Sequence, residues 1–235
     1  TSIKDDSYMG DTNGDGSATV PAAGDWGGIV MEGTDNSLLE YCRIRYGGGD
    51  GTGAVKFKSG SDSEVRRCLI TESQSSGIWI ENSSPHIVGN KVERCSENAV
   101  TVHIEGVEGS SPYFYSDTYP GLGNDFSGNG MDAVVHLGVN GMKTSTWRAS
   151  GYPWYIAGSV VMYKDNTLTV EPGVVIKMAS GTLIGTYTGG YASAPGHLQF
   201  IGTEQDSIVI TSIKDDSYMG DTNGDGSATV PAAGD

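Results

Sequence analysis

Basic residues, cysteines and histidines are all scarce in this 235-residue sequence, and each shortage narrows what the chain can do. Lys and Arg number 14 against 29 Asp and Glu, a formal net charge of −15. So acidic a chain repels phosphate backbones and anionic lipid surfaces. No basic cluster with interleaved aromatics appears, so nucleic acid is not an expected partner. The three cysteines, Cys42, Cys68 and Cys95, are too few for a disulfide framework and lack C-x-x-C metal spacing. The four histidines, His86, His103, His136 and His197, lie at no recognisable spacing from a nucleophile and are expected on the surface or in loops. No apolar run reaches the roughly 18–20 residues of a membrane helix, so no membrane span is expected. No signal peptide is evident, but the chain opens in mid-pattern and is expected to be part of something longer.

What the sequence does have is glycine, 36 in all, about twice the usual share of roughly 7%. It also has many short β-branched runs bounded by Gly, Ser, Asn and Asp, which point to an all-β architecture. Two periods run through it. The opening segment from Thr1 to Asp25, TSIKDDSYMGDTNGDGSATVPAAGD, recurs without change from Thr211 to Asp235, a period of 210. The expected explanation is a window slightly longer than one unit of a tandem array; the alternative is a segment repeated deliberately. The second copy carries five Asp and one Lys, so without its −4 a single period carries −11.

The short period lies in the strands. Ile29, Val55, Ile78 and Val100 recur at successive intervals of 26, 23 and 22 along the chain. Alternation would turn Ile29 and Met31, Val55 and Phe57, Ile78 and Ile80, Val100 and Val102 to one side. Val30, Lys56, Trp79 and Thr101 would then form a mostly polar outer wall. A second strand keeps step: Cys42, Cys68 and Asn90 share one inward position, Ile44, Ile70 and Val92 the next, while Arg43, Leu69 and Lys91 face out. Strands repeating at so short an interval with aligned ladders describe a parallel β-solenoid. Cys42 and Cys68 would be two interior thiols or, alternatively, a disulfide between adjacent rungs.

The expected organisation is an acidic excursion over 1–25, regular rungs over 26–104, an elaborated loop over 105–130, further rungs over 131–210, and the copy at 211–235. Strand counting gives roughly eight rungs per period.

Several phrases, LTVEPGVVIKM, IVITSIKDDS, GDTNGDG, GDWGGIVM and GIWIENSSPHIVGNKVERCS, resemble right-handed parallel β-helix repeats of bacterial and archaeal cell-surface proteins, with a pectate-lyase-like fold. The last phrase is similar to the repeat of that fold in which an Asn stacks inside a turn, and Asn90 matches that position. The resemblance touches most of the chain except 105–130. It implies an all-β, right-handed parallel β-helix, a fold shared by lyases, glycosidases, adhesins and tailspikes.

DTNGDG sets Asp11, Asn13 and Asp15 at alternate positions before Gly16, the opening of a D-x-[DN]-x-[DN]-G calcium loop. Ca²⁺ takes roughly six to eight oxygens, which such a curled loop can converge on one point. A carbonyl near Ser17 would follow, with Thr19 at the usual water-mediated position. The twelfth position, a bidentate Glu in EF-hands, is Ala22, so the closing carboxylate must come from elsewhere, with Asp5, Asp6 and Asp25 as candidates. The second copy offers Asp221, Asn223, Asp225 and Ser227, with Asp215, Asp216 and Asp235 in support. The alternative is a solvated Asp/Asn/Gly turn without metal.

A catalytic site is less legible. Glu40, Glu64, Glu72 and Glu93 lie on regular rungs, but spacing alone does not bring two of them together across a groove. Arg43, Arg45, Arg66, Arg67 and Arg94 lie beside them, away from the acidic loop. Trp79, Tyr113, Tyr115 and Tyr119 are expected to pack under or within loops, stacking on sugar being the alternative. The expectation is a non-enzymatic, calcium-binding structural module, extracellular or at the cell surface, joined end to end with copies of itself. Polysaccharide binding or cleavage is the alternative.

Overall fold

The computed structural model describes residues 1–33, 36–104, 109–138, 142–188 and 194–235. Among them every regular element is a strand, as so glycine-rich and β-branched a sequence requires. A short strand leaves both edges unpaired, and here each turn of the chain pairs with the next. Strands Ile29–Glu32, Gly53–Lys58, Ser76–Glu81, Asn98–His103, Met131–His136, Trp154–Ile156, Val175–Met178 and Val209–Ser212 line up in one eight-stranded sheet. Its pairs are all parallel, and Ile29↔Val55, Val55↔Ile78 and Ile78↔Val100 follow the expected register.

A second sheet stacks Arg43–Arg45, Leu69–Thr71, Lys91–Glu93 and Asp125–Ser127, carrying the ladder Ile44, Ile70, Val92 and Phe126. A third stacks Leu38–Glu40, Glu64–Arg66 and His86–Val88. In the later turns Ser145–Trp147, Thr167–Val170 and His197–Phe200 form a further parallel sheet. The chain is therefore a parallel β-helix. Val55, Phe57, Ile70, Ile78, Ile80 and Val92 fill its interior.

The corner before the second sheet shows how side chains close the turns. A residue with positive φ precedes each stacking position: Tyr41 (53°), Arg67 (52°) and Gly89 (67°). The backbone groups freed by that bend need partners inside the core. Asn90 supplies them: its Oδ1 accepts the Cys68 N–H at 3.0 Å and its Nδ2 donates to Val65 O at 2.9 Å. Asn124 continues the stack, accepting the Asn90 N–H at 3.0 Å. The Cys42 N–H points at Cys68 Sγ, 3.4 Å away, and all three cysteines are free thiols. Burial pushes the Cys68 thiol up to about 11.

Three expectations need correction. The wall of Lys56 and Thr101 is buried, not solvated. Turn backbone at Gly28 lies against the Lys56 stem, Asp50 takes its ammonium, and Ser76 and Asn98 satisfy the Thr101 hydroxyl. The loop expected over 105–130 contains a strand, Asp125–Ser127, because Phe126 extends the inward ladder and Asn124 the stack before it. Residues 105–108 of that loop lie outside the described residues. The surface or loop position expected for His136 is also wrong: it is fully buried beside Trp147 and Trp154, at ring distances of 5.2 and 5.8 Å, and those two indoles stack on each other at 4.6 Å.

Candidate metal centre

Because the acidic segment occurs twice, one local sequence is seen in two surroundings. The internal bonds of the two copies agree. Lys4 Nζ meets Asp25 Oδ1 at 2.7 Å, and Lys214 meets Asp235 at 2.6 Å. The Gly16 N–H donates to Asp11 at 2.8 Å, and Gly226 to Asp221 at 2.7 Å. Asn13 Nδ2 donates to Asp15 at 3.0 Å, and Asn223 to Asp225 at 2.9 Å. The loop conformation is thus set by local sequence, with Gly14 and Gly16 at φ of 75° and 73° letting it curl.

Inside that curl the carboxylates converge. One oxygen each of Asp216, Asp221 and Asp225 lies within 4.8 Å of the other two. Oδ1 of Asp6 and Asp15, and equally of Asp216 and Asp225, is shielded from solvent without a hydrogen-bond partner. Desolvation and the charges of Asp11, Asp15 and Asp5 raise the Asp6 carboxyl above the usual range. Asp15 is held below it, chiefly by the Thr19 hydroxyl. An all-oxygen, carboxylate-rich donor set suits a hard divalent cation.

The other candidates are otherwise engaged. Asp25 accepts from Lys4, from the Ser2 hydroxyl at 2.6 Å and from the Ala22 N–H at 3.0 Å, and the Lys4 bond leads in lowering its carboxyl to about 2. Asp235 repeats this with Lys214 and the Ala232 N–H. Asp5 pairs with Arg45 at 3.1 Å and accepts from Thr1 and Ser7. Asp215 accepts from Thr211 and Ser217. Asn13 Oδ1 accepts the Asp15 N–H at 3.3 Å, and Ser17 and Ser227 are exposed. Of Asp5, Asp6 and Asp25, Asp6 is the one facing Asp11 and Asp15 with an uncommitted oxygen. Spacing could not single it out, because the ion pairs that occupy Asp5 and Asp25 come from tertiary contact and from a lysine 21 positions away.

The rung carboxylates are neutralised rather than poised for acid catalysis. Glu40 binds Arg66 and Arg67, Glu64 binds Arg66, Glu72 binds Arg45, and Glu93 binds Lys91 and Arg94. The loop tyrosines pack down onto the helix. Tyr113 stacks on His86 at 4.7 Å, Arg148 covers Tyr115 at 3.4 Å, and Arg67 covers Tyr119 at 4.3 Å. Beside them a cavity of about 440 Å³ is lined by Tyr115, Tyr119, Arg148, Tyr152 and Trp154. Trp79 is half-buried, tilted against His103 at 5.4 Å.

Parallel register, stacked core ladders and an inward Asn define a β-solenoid protein of the β-helix class. More particularly, residues 15–129 match the family model described as a right-handed β-helix region. No curated protein and no solved structure matches the chain. The match and the continuous sheets support a right-handed β-helix repeat protein, of the structural or polysaccharide-related kind that this fold serves.

Proposed function

We propose that the chain is a calcium-stiffened structural module of a bacterial or archaeal cell-surface tandem-repeat protein, serving as filament, sheath, stalk or adhesin shaft. The observation that carries this reading is the pair of shielded, unpartnered oxygens on Asp6 and Asp15, repeated on Asp216 and Asp225. Carboxylates so close repel one another, and burying their oxygens without hydrogen bonds adds a desolvation cost. A calcium ion among Asp6, Asp11 and Asp15 removes both penalties. The recurrence of the whole segment at a period of 210 supports serial copies: a rod gains length with each unit, and stacking covers edge strands that would otherwise aggregate.

Calorimetry of the chain with Ca²⁺ and after exhaustive chelation tests the metal. A site held at about 100 times its Kd adds roughly 3 kcal/mol, or about 5–10 °C in a chain this size. The paired substitution Asp6→Asn and Asp216→Asn should abolish that difference. Superimposable melting curves with and without calcium would sink the metal assignment.

The cavity beside Arg148 and Tyr115 favours polysaccharide recognition as a second reading. Guanidinium groups already cover the faces of Tyr115 and Tyr119, which leaves little ring surface for a sugar to stack on. Titration with acidic and neutral polysaccharides, compared with Arg148→Ala, decides it: saturable binding lost in the variant would promote this reading.

A further inference from the structure

The two copies of the acidic segment touch different neighbours through different atoms. In the first copy, Asp5 meets Arg45 Nη1 at 3.1 Å and the Tyr8 hydroxyl meets Arg43 at 3.2 Å, so the segment grips the rungs that follow it. In the second copy, Gly220 O and Thr222 Oγ1 accept from Lys177 Nζ at 2.7 and 2.6 Å, so the segment grips the rung that precedes it. Lys177 is fully buried there, and Val209–Ser212 pairs with Val175–Met178 in the same contact. No atom serves both grips. The counterparts of the lysine acceptors in the first copy are Gly10 O and Thr12 Oγ1. Thr12 is exposed, and its hydroxyl turns back to Ile3 O at 3.4 Å.

We infer that Gly10 O and Thr12 Oγ1 are a docking point for the Lys177 rung of a second copy of this module, making the acidic segment a two-sided clasp between units in series. The occupant is identified by the contact already present at 211–235, where the identical segment holds that lysine. Burying an ammonium demands fixed acceptors, and a carbonyl and a hydroxyl at these distances supply them. The contact is head to tail, so it propagates rather than closing on itself. Calcium on the carboxylates and lysine on the carbonyl use separate atoms, and the clasp rests on the serial-copy part of the proposed function, not on the metal.

In the full chain Lys177 is occupied by residues 211–235, so the parent protein should sediment as a monomer. Thr222→Arg sets a second cation against Lys177 and should free that rung for another molecule's Thr12, giving head-to-tail oligomers. The double variant Thr12→Arg/Thr222→Arg should return to monomer. A monomeric Thr222→Arg, or oligomers that persist in the double variant, would overturn the docking. Should Thr222→Arg disrupt the rung itself, Thr222→Val and Thr12→Val offer a milder comparison by hydrogen exchange. Losing one buried bond is worth about tenfold in exchange. Residues 213–230 should exchange about tenfold faster in Thr222→Val, while 3–20 stay unchanged in Thr12→Val. Equal effects from the two would overturn the clasp. Each arm is run with calcium and with chelator. A failed metal assignment shows as no chelator response, a failed clasp as no response to Thr222.

Discussion

His136 illustrates how one residue sets a response to pH. Burial alone lowers its pKa from 6.5 to about 3, so the folded protein holds it neutral while the unfolded chain protonates it below about 6.5. The unfolded state therefore binds the extra proton between those values, and stability falls as pH falls through that window. His136→Phe keeps an aromatic ring against the stacked Trp147 and Trp154 without the titration. Relative to the parent, this variant should gain roughly 2–3 kcal/mol between pH 7 and pH 4.5, read from urea midpoints. A constant difference across that range would show that His136 does not carry the acid sensitivity. Asp6 and Asp25 contrast at the same scale. Asp25→Asn weakens the pin to Lys4 and should lower the melting temperature whether or not calcium is present. Asp6→Asn combined with Asp216→Asn relieves repulsion within both clusters, so without metal the pair should melt no lower than the parent, yet lose the calcium response.

The elements most exposed to single changes are the corners and close approaches of the solenoid. Asn90→Ala strands the Cys68 N–H and Val65 O in the core, at about 1–3 kcal/mol for each unsatisfied group. A loss of about 2–4 kcal/mol is expected from urea unfolding with unchanged slope, while a loss under about 0.5 kcal/mol would mean the corner does not depend on the Asn stack. Gly77 is constrained differently. A Cβ there would lie 2.3 Å from Val92 Cγ1 and 2.9 Å from Ala99 O, so Gly77→Ala must push two packed strands apart. The Asn90 position was legible from the resemblance, and the first turns from their spacing. Asn124 and the strand Asp125–Ser127 were not, because the insertion before them breaks the short period that reveals the others.

For the whole molecule, a solenoid buries its interior turn upon turn, so its ends are held by one neighbour and its middle by two. Ile29 on the first strand is only partly buried and Ile210 on the last is 55% exposed, whereas Ile78, Ile80, Val100 and Val102 are fully covered. Hydrogen exchange should therefore show protection rising from Ile29–Glu32 to a maximum over Ser76–Glu81 and Asn98–His103, then declining toward Val209–Ser212. Uniform protection along the long sheet would indicate a single all-or-none unit instead.

The sequence alone determined what depends on near neighbours and strict repetition. Alternation fixed which strand residues form ladders, the short interval between ladders fixed the parallel stacking, and the D-x-N-x-D-G spacing fixed a loop that folds alike in both copies. Only the tertiary structure decided what depends on surfaces meeting from afar. It buried Lys56 and Thr101, set His136 in the core beside two stacked tryptophans, and gave Lys177 its partners 43 and 45 residues away. It also committed Asp5 to Arg45, 40 residues away, leaving Asp6 to face the loop. The physical reason is that a local pattern says which side chains share a face, but burial and charge pairing depend on which distant segment comes to rest against it.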